Sequence, residues 1–166
     1  MSLASKLSAV EDAVKTLLVA RSADPASALH VAQGRGMTGQ VPVDVGPPAA
    51  IMPEHVFTAP ENRAERQPAT TGNLGATFTE EFVLPVRIAV QVGGTDNAAF
   101  LAARDRADDI AADIETAWAG QAVPGAAGIL DAWVAVVERQ AGTYAEDSIQ
   151  IYLAMELRCT AYLGPG

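Results

Sequence analysis

Three sets of side chains in this chain have types and spacings that chemistry could use. Gly34, Gly36 and Gly39 reproduce the G-x-G-x-x-G spacing of a dinucleotide-binding turn, and Glu54 stands downstream where a ribose-binding acid would be sought. That chemistry needs a helix directly after the glycines, with its N-terminal amides turned to the pyrophosphate. Pro42, Gly46, Pro47 and Pro48 forbid such a helix, so the match reads as a glycine-rich mobile loop. Asp105, Asp109 and Asp113 recur at every fourth position of a helical pattern, which stacks their carboxylates on one face and could in principle hold a divalent cation. Arg104 and Arg106 lie beside them and Asp108 is four residues from Arg104, so a solvated charged face is the better reading. His30 and His55 are the only histidines and lack ligand spacing, and nothing local shapes Cys159, the one cysteine, into a nucleophile. These residues therefore yield no catalytic, cofactor-binding or metal-binding set. What remains is arginine: Arg87 and Arg158 fall on outward positions of alternating segments, where Glu81, Glu138 or Glu156 are cross-strand partners or a neighbouring subunit supplies the acid. Arg35, Arg63 and Arg66 sit in polar loops as candidates to pair with acidic groups of a neighbour.

Composition narrows the function classes. With 166 residues the chain suits a single domain spanning 1–166, and its 49% apolar fraction is inflated by alanine, so a modest core is expected. Twenty acidic against eleven basic residues give a net charge of −9, and the basic residues are scattered, which leaves no stripe for nucleic acid. One cysteine excludes an intrachain disulfide framework. Glu11, Asp12 and Lys15 interrupt the apolar residues near the N-terminus, so neither a signal peptide nor a membrane span is expected, and the protein is expected to be made in the cytosol or to belong to something assembled there.

The elements that must position these residues are set by period. Leu3, Leu7, Val10, Val14, Leu17 and Leu18 predict an amphipathic helix over about 3–20, which Pro25 stops. Leu29 and Val31 suggest a short strand at 28–32, and residues 33–50 a long loop with an edge hairpin arm around Pro42. Residues 55–58 read as a strand and 60–76 as an extended or mobile loop. Phe82, Leu84, Val86, Ile88, Val90 and Val92 alternate within a strand over 78–92, where Pro85 suggests a bulge or an exposed edge. Thr95 is the expected N-cap of a helix running to about Ala119, buried through Phe100, Ala103, Ala107, Ile110, Ile114, Ala117 and Trp118, with Gly120 as its C′ residue. After a connector at 123–128, a strand at 132–138 leads through a hairpin into a last strand at 149–163, with Ile149 to Leu163 alternating between a buried and a wet face. The predicted class is α+β: a mostly antiparallel, mixed sheet with two helices on one face in the order α-β-β-β-α-β-β, joined by long loops. Loops this long suggest contacts completed by neighbouring subunits.

The N-terminal helix, the strand within EHVFTAP (54–60), the strand within EEFVLPVRIAVQVGG (80–94), the helix AARDRADDIAADIETAW (102–118) and the closing strand IQIYLAMELRCTAYL (149–163) together resemble, in order, length and texture, the tail terminator or tail completion proteins of long-tailed bacteriophages. The resemblance implies a non-enzymatic virion protein without cofactor. It implies a ring, usually a hexamer, on the head-proximal end of the tail tube, with the major tail tube protein and the head-tail connector or stopper protein as partners. DNA would pass through the lumen without sequence-specific binding. Another neck or tail-tube component shares this texture, and a cytosolic α+β domain binding a small molecule between its second helix and the sheet is the alternative of a different class.

Overall fold

The computed structural model describes residues 6–59, 61–68, 78–119, 129–143 and 147–163. The elements are α1 (Leu7–Ala23), β1 (Val43–Asp44), β2 (Glu54–Thr58), β3 (Arg63–Pro68), β4 (Phe78–Gly93), α2 (Asn97–Ala119), β5 (Ile129–Thr143) and β6 (Ser148–Leu163). One six-stranded sheet runs β1-β2-β4-β6-β5, with β3 also paired to β4. Only the β1–β2 pairing is parallel. The class is α+β as expected, though the strand at 28–32 is absent and β1 and β3 are additional.

The two long strands carry the fold. β4 and β6 pair without interruption from Phe78↔Leu163 to Gly93↔Ser148, and their alternating apolar side chains meet the buried stripes of both helices. Phe82, Leu84, Val86, Ile88 and Val90 from β4 and Ile151, Leu153, Met155, Leu157, Cys159 and Ala161 from β6 are buried with Val14, Leu18, Ile110, Ile114 and Trp118. Each large aliphatic or aromatic side chain so buried contributes about 1.5–3 kcal/mol. Ala99, Ala103, Ala107 and Ala111 are buried on α2, and their small size lets the helix backbone approach the sheet. The Trp118 indole N–H donates to the Arg158 carbonyl at 2.9 Å, which satisfies the polar end of an otherwise apolar anchor.

The helix ends follow local chemistry. α1 stops because Pro25 disfavours a helical residue before it, and Asp24 is extended at φ −80, ψ 118. Asp96, not Thr95, caps α2: its Oδ1 accepts the Ala99 N–H at 2.8 Å, and the helix begins one residue later than Thr95 would have placed it. The expected helix start at Leu3, the Gly120 end and the connector at 123–128 lie outside the described residues.

Pro85 is neither at a bulge nor on an exposed edge. It is buried in a central strand whose register with β6 is unbroken. On its other side β2 pairs with residues 86–90 and β3 with 78–83. The Pro85 carbonyl faces that side and accepts from Ala59 N–H at 2.9 Å, so the missing N–H points into the junction where one strand has ended and the next has not begun. A ladder bond is not lost there.

Two loop expectations are also revised. Residues 63–68 form β3 rather than a mobile loop, because Ala64 packs against the core while its neighbours stay wet. The loop at 33–50 is fastened to its own chain: Arg35 N–H donates to Gln91 O, Ala32 N–H to Gly39 O and Val41 N–H to Leu29 O. Its edge element is the two-residue parallel β1, not a hairpin arm. At 24–32 successive turns replace the expected strand, with Ser27 N–H bonded to Asp24 O and His30 N–H to Ser27 O.

Candidate interface

The glycine motif is a packing device. Gly36 and Gly39 adopt φ of 71 and 85, open turn conformations that side chains rarely tolerate. At Gly34 an added Cβ would meet Glu54 Cβ at 2.8 Å and Glu54 N at 2.9 Å, so the loop can lie against β2 only without a side chain. The acid downstream is part of the same contact. Glu54 Oε2 accepts the Gln33 N–H at 2.9 Å, and no helix follows the glycines.

Arg106 was expected on the wet face of α2 and is instead buried. Its Nε reaches Glu54 Oε1 at 3.0 Å, a second nitrogen joins the same oxygen, and that nitrogen also donates to the carbonyls of Ala28 at 2.7 Å and Val31 at 2.9 Å. One guanidinium thereby ties α2, β2 and the turns at 24–32 together, with every lone pair it faces satisfied. The sequence held the signal in Glu54, an acid at the head of an apolar strand, but not the partner.

The aspartate ladder is dispersed in the same way. Asp113 accepts from Arg21 at 2.6 and 3.1 Å and from Ser27 Oγ at 2.7 Å. Burial pushes its pKa up, but the hydrogen bonds from Arg21 and Ser27 together outweigh it and hold the carboxyl below the usual aspartate range. Asp108 pairs with Arg139 of β5, and Arg104 turns to Asp105 rather than to Asp108. Among the described residues, no three His, Cys, Asp or Glu side chains gather as a metal site. His55 accepts from Met52 N–H at Nδ1 (3.1 Å) and donates from Nε2 to Asp44 (2.6 Å), which defines a neutral tautomer in a structural role. His30 Nδ1 lies 3.1 Å from the Ser22 carbonyl. Cys159 is buried, which pushes its thiol up to about 12 and keeps it unreactive at neutral pH.

The five arginines do not converge. Arg35 pairs with Asp147 at 2.7 Å, both exposed. Arg63 meets Glu65 of its own strand at 3.4 Å. Arg66 reaches the buried Glu80 at 3.2 Å, whose other oxygen accepts the Lys6 N–H at the start of α1. Arg158 bridges Glu81 at 2.9 Å and Glu156 at 2.8 Å, two of the acids expected for it. Arg87 lines a shallow hollow on the helix-free face of the sheet with Glu138, Gln140, Tyr152 and Ala154. That face is drier than alternation alone predicts: His55, Val83, Pro85, Ala89 and Gln150 are buried there, and the smaller of them lie beside longer neighbours on the adjacent strand, Ala89 by Tyr152 and Val83 by Arg158.

Exposure marks a different surface from the one the arginines suggested. Six large apolar side chains are exposed among the described residues: Val19, Val31, Val45, Ile51, Met52 and Val137. Four lie at 31–52 beside the β1 edge of the sheet. Val137 lies on β5, whose far side has no strand partner over Ile129–Thr143 among the described residues. Long unpaired edges recruit further strands, and proteins that remain single usually blunt them. β5 is blunted at one end only: register shifts fall between Ile129 and Asp131 and between Val134 and Val137, whereas Val137 to Thr143 pair regularly with Met155 to Ile149.

No helix among the described residues is long and apolar enough to cross a membrane. No protein-family model and no curated protein matches the chain. A solved structure, the virion of a native gene transfer agent particle, contains a chain with a similar fold: 22% identity, 93% of this chain and 96% of that one covered, TM-score 0.51.

Proposed function

We propose that this chain is a structural component of a phage-like virion, and within it a tail terminator: copies join in a ring, usually a hexamer in proteins of this kind, that sits on the head-proximal end of the tail tube, ends its elongation and offers a surface for head-tail joining. The observation that carries the coarser reading is the fold shared, over nearly the whole of both chains, with a chain of a gene transfer agent virion. The finer reading is supported by the order and length of the two long strands and two helices, and by two unlike sheet edges, β1 and β5, that are unpaired among the described residues. Unlike edges suit a head-to-tail contact, the kind that closes into a ring by rotation. A net charge of −9 favours a lumen through which DNA passes without adhering, since neutralised phosphates are what hold nucleic acid to protein. The major tail tube protein on one face and a connector or stopper protein on the other are the partners this role requires, and no catalysis is part of it.

The test is addition of the purified chain to growing tail tubes. Binding at one end of each tube with arrest of growth is the expected result. Incorporation along the tube length would make it a tube subunit instead, and absence from tubes and particles would end the reading. The space between α2 and the sheet, where a ligand-binding domain would keep its pocket, is occupied by Ile110, Ile114 and Trp118 packed on the strands.

A further inference from the structure

We infer that neighbouring copies of this chain join edge to edge, with the regular half of β5 (Val137 to Thr143) of one copy lying antiparallel against the β1 edge and the exposed Val45, Ile51 and Met52 of the next. This rests on the ring reading above and names the two surfaces that would make it.

Height and direction across the single sheet favour this contact. Val137 pairs with Met155, Met155 with Val86, and Val86 with Thr58. Val45 follows β1 on that row: Asp44 is opposite Phe57, and the next amide but one, Gly46 N–H, donates to Thr58 Oγ1 at 2.6 Å. At one edge Val137 of β5 is 54% exposed, and at the other Val45, directly after β1, is 45% exposed, with Ile51 at 42% and Met52 at 43% further along the same connection. Directions agree as well. β5 runs antiparallel to β6, as β4 does, while β2 opposes β4 and β1 follows β2. A copy rotated about an axis along the strands thus presents its β1 edge antiparallel to β5, the more stable way for two edges to pair. The bulged half of β5 sits at the height of β3 and offers no such ladder; the regular half sits at the height of β1 and β2. Contact between unlike edges leaves both used in every copy, so the sheet continues around the ring and neither edge stays open.

The experiment uses the full chain with Val45→Cys and Val137→Cys, separately and together, oxidised in solution and on tube ends. Four strand spacings, about 19 Å, separate the two positions within one copy, far beyond the roughly 7 Å over which a disulfide can form, and the buried Cys159 thiol does not compete. The expected result is a ladder of covalent oligomers from the double variant and none from either single variant. Val137→Asp should lower the assembled fraction, read by light scattering and native mass spectrometry, at least tenfold with an unchanged circular dichroism spectrum. Cross-linked dimers from Val137→Cys alone would indicate a symmetric β5–β5 contact and overturn the inference. So would a wild-type ring that survives Val137→Asp and gives no ladder, leaving the ring reading intact. A wild-type chain that stays single both in solution and with tubes would remove the ring and this contact together.

Discussion

The β4–β6 pair beneath the helices and the β5 edge beside it belong to one sheet, yet they obey different rules. In the first, sixteen-residue strands pair without a break, and Phe82 to Val90 of β4 and Ile149 to Ala161 of β6 bury their apolar side chains on the helix face. In the second, a fifteen-residue strand is bonded on one side only among the described residues, its register slips twice, and Val137 on the helix face is more than half exposed. The same contrast separates the two parts of the loop region: residues near Gly34 are pinned to β2 and α2 through Glu54 and Arg106, while Val45, Ile51 and Met52 on the same connection face outward. Stability therefore resides in one part of the molecule and exposed apolar surface in another.

Substitutions can break this contrast from either side. The largest effect should come from Arg106→Ala, which leaves Glu54 charged and buried without its partner; unfolding by urea should show a loss of about 3–5 kcal/mol. Exchanging both residues for apolar ones of similar size should recover much of that loss, because the desolvation cost disappears with the charges. Gly34→Ala is expected to cost about 1–3 kcal/mol in the same assay, since backbone atoms of residues 53 and 54 must shift to admit the new methyl. Removing the α2 cap with Asp96→Ala should cost about 1 kcal/mol. Acid should act through Asp113. Its folded-state pKa lies below the unfolded one, so its contribution is present above the unfolded value of about 3.9 and is lost as pH falls through the folded value. Asp113→Asn should flatten the acid limb of a stability-versus-pH curve below about pH 4 and leave the neutral region nearly pH-independent. The smallest effect belongs to the edge: Val137→Asp should change monomer stability by less than about 0.5 kcal/mol, and a large loss there would mean that β5 belongs to the core after all.

Much of the fold was legible in the order of residues because period is a local property. Alternation over 78–92 and 149–163 and the apolar stripes of the two helices each need only their own segment, and all four appear where they were expected. The strands read at 55–58 and 132–138 are somewhat short of the observed Glu54–Thr58 and Ile129–Thr143. The misses share a cause. β3 is polar and short, and becomes a strand because β4 offers it a ladder; the expected strand at 28–32 gives way to turns because Arg106 collects the carbonyls of Ala28 and Val31.

The interface residues divide along the same line. Alternation placed Arg158 on the outward face where Glu156, two residues away on the same strand, and Glu81 across the ladder pair with it, and the prolines after the glycine motif dismissed it as a nucleotide site. That Arg106 is buried and that Asp113 answers to Arg21 depend on contacts between residues 52 and 92 positions apart, and that Val45 and Val137 lie at opposite edges depends on the strand order. Local periodicity encodes which face of an element is apolar. Which elements stand at the edge, and which buried charge meets which, is settled only when the sheet order β1-β2-β4-β6-β5 is closed, because burial and partnership are properties of the packed whole.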